Sequence, residues 1–257
     1  MNSKPLVPVL ALLLCACSGP SLVAGARYMS MDNSGELSAL GPVTGQTTSF
    51  KDLGIDGDEG SLGAVVDLSW GSPHLSVSTQ SASYEGSGTV KSNITLDGHT
   101  FVANTDVDSR MDMGLHSMLL TFDLVPGDNA EFGFGIGVTA IDFLLALEDT
   151  ATKQELVGES LLPIPVVGVR GSMDAGPITL NGVLSGMTVS VDEGEVDMRD
   201  YDLFGRWKFA GGEEHLIGSV TFGWRRTKVD LEFEDAGDSI ALDFTSGGPY
   251  VGLSLHF

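Results

Sequence analysis

The residues equipped for chemistry are sparse in this chain, and their spacing says what they can do. Both cysteines, Cys15 and Cys17, lie near the start, so the body of the chain offers no thiol nucleophile, disulfide or Cys metal site. Of the 5 histidines, His74 stands beside a turn, His99 in a loop, His215 at a turn and His256 near the end. Only His116 resembles half of a hydrolytic site, with Asp112 four residues before it on the same strand face and Ser117 next to it. Such a site needs a base, an orienting carboxylate and a nucleophile held together. In an alternating strand Ser117 points away from His116, so the three do not converge. The acidic run Asp56-Gly57-Asp58-Glu59-Gly60 lacks the spacing and closing Glu of a calcium loop. No phosphate-binding Gly-rich loop or zinc pattern is present. The sequence leads to the expectation of a protein that is not an enzyme and uses no metal or cofactor.

The elements that would position these residues are strands. From Ala26 onward apolar residues recur every second position, with almost no 3.6-residue period. The segments are Ala26–Leu40, Leu62–Trp70, Leu75–Tyr84, Met111–Leu124, Glu131–Leu147, Leu161–Met173, Ile178–Val191, Val196–Phe209, Leu216–Phe233 and Ile240–Phe257. That makes about ten, with eight and twelve as alternative counts. Phe132, Phe134, Ile136 and Val138 share one face of their segment, and Gly133, Gly135, Gly137 and Thr139 the other. Turns near Ser72, Gly127, Ala175 and Gly212 are short. The alternate connections at 41–60, 85–108 and 149–160 are long, and those at 192–195 and 234–238 short and acidic. In Leu216–Phe233 the apolar phase is even up to Trp224 and odd from Val229. The last segment changes phase across Gly247-Gly248. The matched pair means either a bulge or a hairpin rising above a membrane with its apolar face turned inward, the second being preferred.

Composition narrows the class. With 34 Gly, 13 Lys plus Arg against 35 Asp plus Glu and a net charge of −22, the chain lacks the basic footprint of a nucleic-acid binder. Mean hydropathy is nonetheless +0.15, and after residue 16 no apolar run approaches the roughly 20 residues of a membrane helix. Apolar residues spread thinly in a period of two fit strands with one apolar face.

Residues 1–26 read as a targeting segment, with Lys4, the apolar run Leu6–Leu14 and small residues after it. Leu13-Leu14-Cys15-Ala16-Cys17 resembles a bacterial lipobox, which implies cleavage after Ala16 and a lipid on Cys17. Ala24-Gly25-Ala26 is an alternative site with cleavage after residue 26. Residues 27–257 then form one barrel domain.

The chain ends Tyr250-Val251-Gly252-Leu253-Ser254-Leu255-His256-Phe257, alternating to a final aromatic. That ending, with the repeated strands and unequal turns, resembles small bacterial outer-membrane β-barrel proteins of the OmpA and OmpW type. The resemblance implies an all-β, antiparallel transmembrane barrel of about ten strands in the bacterial outer membrane, monomeric, surrounded by outer-membrane lipids. It also implies insertion by the barrel-assembly machinery, which reads Tyr250, Leu253, Leu255 and Phe257. The lipid-facing parity sends Asp67, Asp112, His116, Arg170, Asp200, Asp202, Arg206, Lys208 and Arg225 into the lumen. Both signs are present, so these charges are expected to pair and fill it. The resulting reading is a structural or narrow-pore barrel. The alternatives are a Cys17-anchored, periplasmic-facing β lipoprotein binding an apolar ligand, and an outer-membrane hydrolase using His116 and Asp112.

Overall fold

The computed structural model describes residues 20–40, 47–91, 93–96, 99–125, 127, 129–191, 194–210, 217–235 and 238–257. Its strands are β1 (Ser21–Leu40), β2 (Thr47–Ser49), β3 (Gly57–Ser69), β4 (Pro73–Thr89), β5 (Ile94–Leu96), β6 (His99–Phe101), β7 (Asp106–Val125), β8 (Ala130–Asp149), β9 (Glu155–Ala175), β10 (Ile178–Val191), β11 (Gly194–Ala210), β12 (Ile217–Asp235) and β13 (Asp238–His256). β5 and β6 pair only with each other, and β2 adds to the far end of β1. The other ten run in the antiparallel order β1-β3-β4-β7-β8-β9-β10-β11-β12-β13 and close through β13–β1. The closing ladder extends from Val23↔His256 to Leu40↔Ser239. At its end Phe257 N donates to Leu22 O at 2.8 Å, and Leu22 N to Phe257 O at 3.2 Å.

Several strands run longer than the sequence reading, as β3 from Gly57, β4 to Thr89 and β7 from Asp106 do. β1 starts at Ser21, and residues 21–26 pair with β3. The connection expected at 149–160 shrinks to Thr150–Gln154, because β8 and β9 pair up to Glu148↔Glu155. Charged residues there suggested a loop, yet they lie on a strand face that meets water.

The outside of the barrel divides into two zones. Toward the termini and short turns, outward side chains are apolar: Leu62, Val77, Met118, Phe134, Val167, Leu180, Leu203, Phe222 and Leu253 are all exposed. Aromatics rim this belt, with Tyr28, Tyr201 and Trp224 at one margin and Phe132, Trp207, Phe209 and Phe257 at the other. A closed even-stranded antiparallel barrel with such a belt is the architecture of the bacterial outer membrane; the chain is an integral outer-membrane β-barrel. Past the belt the outward positions turn polar, as at Arg110, Asp142, Asp197, Arg199 and Asp230.

The inside reverses in step. On β12 the odd residues face inward along the whole strand, from Gly223 and Arg225 to Thr227, Val229 and Leu231. The β12–β13 ladder runs from Ile217↔His256 to Asp235↔Asp238 without a shift, so no bulge causes the phase change. The medium outside the strand changes from lipid to water, and the apolar face follows the dry side. Met29, Met31, Tyr84, Met111, Met113, Ile141, Leu145, Val196, Met198, Val229 and Phe244 thus build a buried apolar core in the distal half. Each such side chain contributes about 1.5–3 kcal/mol on burial. Glycines accommodate the narrow wall lower down: a Cβ on Gly135 would collide with the Leu120 carbonyl oxygen.

β3 is shorter than its neighbours, and the first connection repairs the wall above it. β2 pairs with Glu36–Ser38, and Thr89 N donates to Asp52 O at 2.8 Å, so residues 47–56 bridge β1 to β4. Phe50, Leu53 and Ile55 point into the apolar core and are buried. Asp52 Oδ2 accepts from Ser49 Oγ at 2.7 Å, a bond that holds its carboxyl below the usual carboxylate range.

The two zones separate two substitutions on one strand. Ile136, 64% exposed in mid-belt, should cost about 2–4 kcal/mol as Ile136→Arg, whereas Asp142→Arg beyond the belt should cost about 0–1 kcal/mol. Urea titration of folding into lipid bilayers measures both.

Candidate functional site

The side chains with chemical potential gather inside the membrane-spanning half. Arg225 on β12 grips Asp200 on β11 in a fork, Nε to Oδ1 and Nη2 to Oδ2, both at 2.9 Å. Thr227 Oγ1 donates to the same carboxylate at 2.7 Å. Arg225 and Asp200 are only 3% and 6% exposed. Nη2 of Arg225 also reaches Ser117 Oγ on β7 at 3.4 Å, and Ser117 bonds Thr139 on β8 at 3.1 Å. In the closed order β7 and β12 stand opposite one another, so this chain of bonds crosses the whole lumen.

Further pairs fill the levels below. Arg27 Nη1 meets Asp202 Oδ2 at 3.1 Å, Tyr250 OH donates to Asp202 Oδ1 at 2.7 Å, and the Arg27 guanidinium lies 5.2 Å from the Tyr250 ring centroid. Arg206 Nη2 bonds Asp67 Oδ2 at 3.1 Å, while Ser76 Oγ donates to Asp67 at 2.6 Å. His256, Ser219 and Ser254 form a polar chain with steps of 2.8 Å. A cavity of about 340 Å³ remains among these groups. Each buried charge has an opposite partner within bonding distance, the condition under which charges persist in a low-dielectric interior.

At the mouth beside the termini and short turns lies a third cluster. Arg170 Nη2 bonds Asp123 at 2.8 Å and Glu131 at 3.1 Å, and His74 Nε2 lies 2.8 Å from Asp123. His74, Asp123 and Glu131 offer ligand atoms within 4.8 Å of one another, a spacing a divalent cation could use. The Arg170 guanidinium already sits between the two carboxylates and supplies the positive charge a metal would bring.

Seven of the nine expected lumen charges point inward: Asp67, Arg170, Asp200, Asp202, Arg206, Lys208 and Arg225. Asp112 and His116 do not. On β7 the odd residues face inward, from Met111 to Thr121. Asp112 is held on the outer surface by Ser83 and Arg110, and His116 Nδ1 by Thr79 Oγ1 at 2.8 Å. The inward positions at this level are taken by Met111, Met113 and Leu115 of the distal core. The hydrolase reading built on His116 and Asp112 loses its geometry, since Ser117 lies on the other side of the wall. Arg27, Asp123, Glu131 and Thr227 complete the network without having been singled out. Arg27 adjoined a cleavage signal, and Asp123 and Glu131 flanked a turn. Leu253, Leu255 and Phe257 line the outer surface, whereas Tyr250 is a lumen residue. Cys17 lies outside the described residues.

No protein-family model and no curated protein matches the chain. Solved structures do. The fold is similar to that of the outer membrane protease OmpT from Escherichia coli, at 10% identity, with 92% of this chain and 97% of that one covered and a TM-score of 0.47. A Pseudomonas aeruginosa FadL homologue is similar at 10% identity, covering 93% and 90%, with a TM-score of 0.36. The beta domain of the Bordetella autotransporter BrkA is similar at 7% identity, covering 93% and 99%, with a TM-score of 0.34.

Removing one partner of the buried fork leaves an uncompensated charge. Asp200→Ala should therefore destabilise the barrel by about 3–5 kcal/mol. Asp112→Ala, on the wet outer surface, should cost about 0–1 kcal/mol. Denaturant unfolding of both variants in the same detergent compares them.

Proposed function

We propose that this protein is a non-enzymatic outer-membrane barrel whose lumen is closed by its own ion pairs and by the apolar core beyond them, so that its role is structural and not that of an open channel. The observation carrying this reading is the Arg225–Asp200 fork with its bond to Ser117 on the opposite wall. A hydrated ion crossing the lumen would have to displace a bidentate, fully desolvated pair. Against catalysis stands the separation of His116 from Ser117 across the wall. Planar-bilayer recordings test the reading. The native protein should show baseline current, and so should Arg225→Ala, inserted and heat-modifiable, because the dry distal core lies in series with the fork. A large ohmic conductance from the native barrel would overturn it.

The remaining assignments follow from the closing seam. We infer a monomer in outer-membrane lipid, inserted by the barrel-assembly machinery through the terminal strand. We also infer a mature chain that keeps Ser21–Ala26, as cleavage after Ala16 with Cys17 lipidated would allow. Cleavage after Ala26 would strip β1 of residues that pair with both β3 and β13. Deleting Phe257, or Ser21–Ala26, should each lower the heat-modifiable protein in outer-membrane fractions severalfold. Unchanged levels would count against the corresponding claim.

A further inference from the structure

The barrel wall has an opening in its distal half. Among the described residues the β9–β10 ladder runs from Ile178↔Ala175 only to Gly186↔Val167. Beyond it, Glu155–Val166 of β9 pair with β8 alone, and Met187–Val191 of β10 with β11 alone. The sequence builds this gap. Pro163 and Pro165 lack N–H donors, and both keep their places opposite Ala140 and Val138 in the β8–β9 ladder. A proline can occupy such a ladder only at positions whose nitrogen faces the other way. The two missing donors are therefore the ones β10 would have used.

Next to the opening lies a second cavity, of about 260 Å³, in the apolar core. Ile141, Phe143 and Leu145 of β8 form one side, with Leu231 of β12 and Leu242 and Phe244 of β13 facing them. Gly158, Glu159 and Ser160 also line it, three consecutive residues. On β9 the even residues face inward, as the buried Leu156, Ile164 and Val166 do, yet Ser160 in the same phase is exposed beside the unpaired edge. The cavity thus communicates with the outside through the β9–β10 gap. A cavity of about 150 Å³ with a similar Leu/Ile/Phe lining stays dry and takes up benzene; this one is larger.

We propose that this cavity is a binding site for a small uncharged aliphatic or aromatic molecule, which reaches it sideways through the gap between β9 and β10. The charge pattern selects the class. Glu159 stands at the rim with Glu155 on the same face of β9, whereas Asp197, Asp230 and Asp243 are already paired with Arg199 and Lys228. It is therefore the β9 carboxylates at the mouth that repel an anionic amphiphile such as a fatty-acid carboxylate. A neutral alcohol or hydrocarbon meets no such penalty.

The test uses the full-length processed protein in lipid nanodiscs and a diazirine-bearing aliphatic alcohol as photoaffinity probe. Crosslinks mapped by mass spectrometry should fall on Ile141–Leu145 and Gly158–Leu162. The carboxylate of equal length should label these peptides severalfold less. Leu145→Trp fills the cavity and should lower their labelling roughly tenfold, the equivalent of about 1.4 kcal/mol in affinity, with heat-modifiable migration retained. Ser160→Trp, at the exposed mouth, should act in the same direction and serves if the core variant does not fold. Labelling confined to belt residues such as Phe134 and Val167, or equal in the native protein and both variants, would overturn the proposal.

Discussion

Hydrocarbon offers no hydrogen bonds, so a sheet placed in it cannot keep an edge. Everything else in this structure depends on the pairing of β1 with β13, which removes both edges at once. The reciprocal bonds between Leu22 and Phe257 carry that pairing to the last residue. Closure also creates an interior, and the interior must then be filled. In the membrane-spanning half the filling is ionic, because the outward positions have already taken the apolar side chains. In the distal half the exchange is reversed.

Two solvents along one barrel explain the sidedness. Each strand keeps one side of its backbone toward the axis from end to end, yet the residue types on that side change where the lipid ends. The fork of Arg225 and Asp200 and the buried Thr227 mark the crossing, with Tyr250 below and Val229 and Phe244 above. The distal half is built like a soluble protein, with a dry core and a charged surface. The membrane half is built inside out.

Much of this was legible in the sequence. Ten strands, the closing segment and the belt could be read from the alternation of Phe132, Phe134 and Ile136 or Val251, Leu253 and Leu255. The phase change in β12 was visible too, and inward apolar faces above the membrane were its right explanation. On β7 the inward face changes from apolar to polar in the same way. The expected parity put Asp112 and His116 inside, whereas the inward face carries Met111, Met113 and Leu115. Period-two alternation shows that two faces differ without showing which medium each one meets. Only the neighbouring strands settle that: Phe122 lies opposite Phe134, while Met111 lies level with Tyr84 and Leu145. The gap beside β9 was hidden for a related reason. Prolines at 163 and 165 signal a missing donor, but the partner left without it is defined by the barrel order.

The charged distal exterior constrains how the protein can be made. Asp142, Glu159, Asp197, Asp230 and Asp243 end on the far side of the bilayer from the chain termini. During biogenesis every one of them must travel through the region Ile136 and Phe222 later occupy. A carboxylate at the centre of a membrane helix costs about 2.5–3.5 kcal/mol, and here several would cross together. Strands entering lipid one by one would meet that barrier repeatedly. Curling the sheet does not by itself spare them, since they lie on its convex face. The inside-out arrangement therefore demands a route across the membrane that keeps the exterior carboxylates wet until they reach the far side.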